Sequence, residues 1–250
     1  MKKIRSILRI ISAHLIPKIA YPVIRGPLFG LKFIHGAASG EGGGATIFFG
    51  LVEPKQTEAF KSALKDGFIV FDVGANIGYY TLLGSRIIGK NGKIFAFEPS
   101  IRNIEYLAKH IRINKITNAM IIPAACSDNT SISLFNNTPD CALGHLLENT
   151  ESSETKFDIV PTLTIDSVVQ TTGVFPDIVK IDVEGAELKV LHGSKSLLQK
   201  NHPVILLSVH SSELRISCLE YLSQFGYSAV PLDTSESGEP FEYMLSCSGK

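Results

Sequence analysis

The chain has 250 residues, an apolar fraction of 44% and 24 cations against 24 acids, enough length for one large domain with a full core and no general basic surface for nucleic acid. Cys126, Cys141, Cys218 and Cys247 are widely separated, with no C-x-x-C pair and no histidines at finger spacing, which excludes a zinc finger or disulfide framework and fits a reducing cytoplasm. No apolar run approaches the roughly eighteen residues of a membrane span, and Arg9 and His14 interrupt the only candidate signal segment.

The first element in chain order is a basic arm. Seven cations, from Lys2 to Lys32, precede the first acid, Glu41, so the rest of the chain is acidic. Ile4, Ile7, Leu8, Ile11 and Leu15 form one helical stripe with Lys2, Arg5 and Arg9 opposite, which predicts an amphipathic helix. Such a helix docks on the domain, the simpler reading, or lies peripherally at the inner membrane surface. Pro17, Pro22 and Pro27 end its regularity, and the loop GAASGEGGG from Gly36 to Gly44 separates an arm of residues 1–46 from a domain of residues 47–250.

Phe71 to Ser100, FDVGANIGYYTLLGSRIIGKNGKIFAFEPS, reads as strand, glycine turn, helix and second strand ending in an acid. A carboxylate at that strand end, Glu98, can accept ribose hydroxyls of an adenosine. The glycines follow G-x-x-x-G, Gly74 to Gly78, and lack the G-x-G-x-x-G spacing of a pyrophosphate cradle. Asp72, just before the turn, would repel phosphate but attract an ammonium group. S-adenosylmethionine (SAM) carries an ammonium, a carboxylate for the helix N-terminus, and no phosphate, so the turn suits SAM over NAD.

Candidate strands Ile69–Val73, Lys93–Phe97, Ala119–Ala124, Asp177–Ile181 and Val204–Val209 alternate with helical patterns, including one behind an N-cap at Ser100. This predicts a mostly parallel sheet with helices on both faces. Ser131 to Pro161 reads as an insertion of loops and short antiparallel strands at a pocket rim, and Gly226 to Ser246 as an edge hairpin. Ligands of such sheets bind beyond the strands' carboxyl ends. Those ends carry Asp72, Glu98, Ser127 with Asp128, Asp182 with Glu184, and His210.

With RGPLFGLKF, GLVEP, FDVGANIGYYTLL, FAFEPS, AACSD and KIDVEGAELKVLHG in place, the chain from about Arg25 resembles the FkbM family of SAM-dependent methyltransferases. The resemblance implies the class I methyltransferase α/β fold: a Rossmann-like seven-stranded sheet, mostly parallel, with a C-terminal antiparallel hairpin. It implies that Asp72, Gly74, Asn76 and Gly78 hold the methionine end of SAM, Glu98 the ribose, and Ser127 and Asp128 the adenine. Asp182 and Glu184 would face the methyl group and the acceptor, with His210 on the neighbouring strand. The family commonly places a glutamate two residues before that histidine; here the position is Ser208.

The implied reaction is O-methylation of a hydroxyl on a sugar, glycan or other small molecule, with Asp182 or His210 as base, Glu184 orienting the acceptor, and Lys180 bridging an acid or touching the acceptor. Two obvious oxygen ligands, Asp182 and Glu184, are too few to call a metal, so no metal is expected. The competing classes are a non-catalytic scaffold of the same fold and an NAD-dependent oxidoreductase.

Overall fold

The computed structural model describes residues 17–38, 44–136, 144–146, 157–233, 238 and 240–247. The helical stripe expected between Ile4 and Leu15, and Cys141, fall outside them.

The chain opens with a small antiparallel pair, β1 (Ala20–Pro22) and β2 (Lys32–Ile34), followed by helices α1 (Ala45–Phe49) and α2 (Pro54–Ala63). Then come β3 (Ile69–Val73), α3 (Tyr79–Ile87), β4 (Lys93–Phe97), α4 (Ile101–Ile113) and β5 (Ala119–Ile122). After the short β6 (Ala125–Cys126), the insertion contributes β7 (Ser131–Asn136), β8 (His145–Leu146) and β9 (Phe157–Leu163). The last part runs α5 (Ile165–Thr172), β10 (Ile178–Ile181), α6 (Glu187–His192), α7 (Lys195–Lys200), β11 (Val204–Ser208), α8 (Ser212–Ser223), β12 (Tyr227–Asp233) and β13 (Glu242–Cys247).

Seven strands form the main sheet in the order β12-β13-β11-β10-β3-β4-β5. The five strands from β11 to β5 are parallel, and β13 and β12 join antiparallel, as the sequence predicts. β3 leads outward through β4 to β5, whereas β10 leads the other way to β11. The order therefore reverses between β3 and β10, and a crevice opens there at the carboxyl ends. A second, four-stranded sheet has the order β6-β9-β7-β8; within the expected insertion β7 pairs antiparallel with β8 and β9 as predicted, whereas β6, which precedes the insertion, joins β9 in parallel.

Three of the candidate strands end or begin one or two residues from the sequence reading, β11 among them, which stops at Ser208. β5 stops at Ile122 because Pro123 has no N–H for the ladder. β10 begins at Ile178, and just before it Asp177 bonds both neighbours, its N–H to the Ile69 carbonyl and its carboxylate to the Ile69 N–H at 2.8 Å.

Both faces of the sheet are covered. Phe71, Val73, Phe97, Ile181, Leu191, Leu207 and Leu222 lie in one core layer, and Val70, Leu82, Leu83, Ile94 and Leu206 in the other. Val23, Leu28 and Phe33 belong to the second layer, so the described start of the chain is packed on the domain. α4 carries Asn103, Leu107 and His110 on its buried face. Two of these are polar because they serve bonds: Asn103 reaches Glu98, and His110 joins β2 to the turn after β3. Among the described residues no helix is long and apolar enough to cross a membrane.

Candidate active site

A cavity of about 610 Å³ sits over the β3/β10 reversal, a volume in the usual range for small-molecule sites. Its walls draw on the turn after β3 (Gly74, Asn76), the end of β4 (Glu98), Cys126, the loop after β10 (Asp182, Glu184) and the end of β11 (Ser208, His210). Glu53 and Tyr80 close it from the side of the N-terminal elements.

Gly74 makes the crevice. Its φ is +81°, and a Cβ there would lie 1.8 Å from the backbone oxygen of Asp182, so only glycine lets β3 and β10 run this close at their ends. The chain then passes through Asn76 at φ 50° and Gly78 at φ 98° into α3. The turn's own N–H groups are bonded within it, Gly74 and Ala75 to the Phe97 carbonyl, Asn76 to Glu98, Ile77 to the Asn76 side chain and Gly78 to the Ala75 carbonyl, and α3 opens just beyond.

Glu98 is 4% exposed. One oxygen accepts from the Asn76 N–H at 2.7 Å; the other accepts from the Ser100 N–H at 2.9 Å and the Asn103 amide at 3.3 Å. Burial pushes its pKa up to about 7 despite these three bonds. The oxygen shared with Asn76 retains an acceptor position, which fits a ribose hydroxyl. Ser100 is at the N-cap of α4, yet its side chain makes no capping bond there.

Asp72 is fully buried and stands behind the cavity wall, with one oxygen accepting from the Thr81 hydroxyl at 2.6 Å and the other without a partner. Burial raises its pKa, with Lys180 and Thr81 opposing. Gly78, Ser127 and Asp128 also lie outside the walls; Ser127 donates to Asp128 at 3.1 Å just beyond Cys126.

At the other end, polar groups converge. Lys180, 2% exposed, donates to Asp182 Oδ2 at 3.0 Å and rests 4.7 Å from the Tyr80 ring centre. Burial alone would lower its pKa, but Asp182, Asp72 and Glu53 outweigh burial and hold it above the usual lysine value. The sequence anomaly of a lysine inside a central strand is thus resolved by an acid and an aromatic face. Burial alone would raise Asp182, yet Lys180 and then His210 keep it below the usual carboxylate range.

His210 meets three carboxylates. Its Nδ1 is 2.8 Å from Glu187, and its Nε2 is 3.3 Å from Glu184 and 3.6 Å from Asp182. Burial opposes its charge, but Glu184, Glu187 and Asp182 prevail and push its pKa up to about 10. The imidazole is therefore cationic at neutral pH and acts as a donor.

Glu187 and Glu53 are the residues that the sequence reading missed. Glu187, on the first turn of α6, is fully buried and also accepts from the Gly185 N–H at 2.9 Å. It lies inside the KIDVEGAE block, so a motif signal existed, but its contact with His210 is made across two strands. Glu53, at φ 36° before Pro54, accepts from the Tyr80 hydroxyl at 2.7 Å. Burial, then the nearby Asp182, raises its pKa, with Lys180 and the Tyr80 bond opposing. Tyr80 also lies 2.7 Å from Gln56, which donates to Ser208 at 2.7 Å, so the serine that replaces the family's glutamate is held by α2.

A seven-stranded sheet with this order, a cavity at its reversal point, an acid just after β4 and a glycine turn before a helix is the class I methyltransferase fold. The family model for the methyltransferase FkbM domain matches residues 72–229, and the chain belongs to that family, whose methyl donor is SAM. The chain is 32% identical over 139 residues to the hexuronic acid methyltransferase AglP of Haloferax volcanii, covering 55% of this chain and 54% of the relative. It thus spans about half the length of that curated relative. Among solved structures it is similar to a putative rRNA-methylase from Clostridium thermocellum, with TM-score 0.52 and 12% identity over 78% of this chain and 96% of that one. It is also similar to the methyltransferase FkbM from Methylobacillus flagellatus KT, with TM-score 0.51 and 15% identity over 77% of this chain and 50% of that one. These two likenesses concern the fold.

Proposed function

We propose that this protein transfers the methyl group of SAM to a hydroxyl of a sugar or glycan, with the acceptor seated against Asp182, Glu184 and His210. The observation that carries the reading is that one cavity joins Glu98 to this cluster, so cofactor and acceptor share a chamber. The kinship with a hexuronic acid methyltransferase supports a sugar acceptor. A phosphate-rich nucleic acid is disfavoured, because Glu53, Asp182 and Glu184 all line the chamber.

Glu98 would bind the ribose, the N–H groups opening α3 just past the Gly74 turn the methionine carboxylate, and Ser127 with Asp128 the adenine. Asp72, behind the wall, would act on the ammonium only through its field. SAM supplies a methyl group on a sulfonium, which leaves by in-line displacement, so alignment is the protein's main task. His210, already protonated, would donate to the acceptor rather than take its proton. The proton would pass to a carboxylate, and Glu53, held above the usual carboxylate range, has the greater affinity for it than Asp182, held below. Lys180 would fix Asp182 from behind. The intact cofactor face favours an enzyme over a scaffold.

The test is incubation of the protein and SAM with a panel of hexuronosides, neutral glycosides and short RNA, read by intact mass. A methyl gain on a glycoside is expected. Gain on RNA alone, or on an amine but never a hydroxyl, would refute the reading.

A further inference from the structure

Asp182, Glu184 and His210 each offer one donor atom, and these atoms lie within 4.8 Å of one another. The sequence offered two oxygen ligands; the fold brings an imidazole nitrogen to them from β11. Nε2 is 3.3 Å from Glu184 Oε2 and 3.6 Å from Asp182 Oδ1. Donors bound at about 2.1 Å to one cation stand about 3 Å apart at right angles, so small side-chain shifts close the set.

Asp182 and His210 have their other polar atom committed elsewhere. Asp182 gives Oδ2 to Lys180 at 3.0 Å, which leaves Oδ1 toward the cluster. Glu187 holds Nδ1 of His210 at 2.8 Å, which leaves Nε2 toward it. A carboxylate on the far nitrogen of an imidazole is the outer-shell arrangement of metal-bound histidines. Glu187 is also fully buried, and its second oxygen has no hydrogen-bond partner among the described residues, an excess of buried negative charge beside the three ligands.

We propose that Asp182, Glu184 and His210 form a binding site for one divalent cation at the acceptor end of the cavity, with Glu187 as the positioning residue for His210. Two carboxylate oxygens and one imidazole nitrogen suit Mn²⁺ better than the all-oxygen preference of Mg²⁺ or Ca²⁺. The cation would displace the proton that Nε2 otherwise carries, and three protein ligands leave open positions on the cavity side, where acceptor oxygens would be drawn to the ion in place of that donor. The site stands on its ligands and does not depend on the acceptor's identity.

The experiment is titration of the full chain with Mn²⁺ alone, following loss of the free-ion paramagnetic resonance signal, for wild type, Glu184→Gln, His210→Gln and Glu187→Gln. One bound ion per chain is expected, weakened at least tenfold by each ligand variant and about 10–100-fold by Glu187→Gln. Circular dichroism checks that each variant is folded, and Glu105→Gln, on the exposed side of α4 and away from the cavity, serves as a control expected to bind as wild type. Absence of binding by the wild type, or equal binding by wild type and every folded variant, would overturn the proposal. Because the readout is binding of the ion alone, it holds or fails apart from the methyl-transfer assay.

Discussion

The carboxylate of Glu187, with no solvent exposure, lies 2.8 Å from Nδ1 of His210 and ties the first turn of α6 to the end of β11. It also accepts the Gly185 N–H, so its removal strands two donors. Glu187→Ala should lower unfolding free energy by about 2–4 kcal/mol in urea titration, and Glu187→Gln, which keeps an acceptor oxygen, by less. An alanine variant as stable as wild type would show that this contact does not hold the strand end.

Gly74 and Gly67 share a positive φ, near 80°, but only Gly74 faces backbone, with Asp182's oxygen in the way of a Cβ. Gly67→Ala should cost about 1–2 kcal/mol, the penalty for a left-handed L-residue. Gly74→Ala should cost clearly more and abolish SAM binding, since β3 and β10 must part. Equal melting shifts in the two variants would contradict the close approach.

His110 sets a pH dependence. The Ile34 N–H donates to Nε2 at 3.0 Å and Nδ1 lies 2.8 Å from the Ile77 carbonyl, so the ring is held neutral with its proton on Nδ1. Burial, against the support of that carbonyl, keeps its pKa below the usual value. The unfolded chain takes up a proton near pH 6.5 that the folded chain refuses. This contribution to stability is therefore present above about pH 6.5 and is lost as pH falls toward the folded pKa, at up to about 1.4 kcal/mol per pH unit. Urea unfolding at about pH 7.5 and about pH 5.5 should show a smaller loss in His110→Gln than in wild type; identical losses would contradict it.

Glu53→Gln removes the proposed proton acceptor while keeping a partner for Tyr80. Turnover should fall by about 10²–10⁴-fold with SAM affinity little changed. A fall in Asp182→Asn with none in Glu53→Gln would move the base to Asp182, as the sequence first suggested. Normal turnover in both would remove carboxylate base catalysis.

Much of this was legible in the chain. The strands at Ile69–Val73 and Lys93–Phe97 match residue for residue, because apolar β-branched and aromatic runs bounded by turns carry their own signal. The parallel sheet and final hairpin followed from the alternation of such runs. The site was harder to read. Asp72 looked like a cavity residue because it precedes the glycine turn, but strand alternation turns it into the core, toward Thr81. His210 looked like a base because its ordinary pKa is near neutral; three carboxylates, two from the loop after β10 and one from α6, change that, and no local pattern encodes their meeting. Glu53 reaches the cavity from a segment more than a hundred residues before Asp182, a juxtaposition that only the packing of α2 and α3 creates.

The most direct measurement is calorimetric titration of SAM and of NAD into wild type and Glu98→Ala. The account predicts that wild type binds SAM and not NAD, and that Glu98→Ala weakens SAM by about 1.5–3 kcal/mol, the range for hydrogen bonds to a charged group. SAM affinity unchanged in Glu98→Ala, or binding of NAD with no response to SAM, would contradict the placement of the cofactor in the β3/β10 cavity.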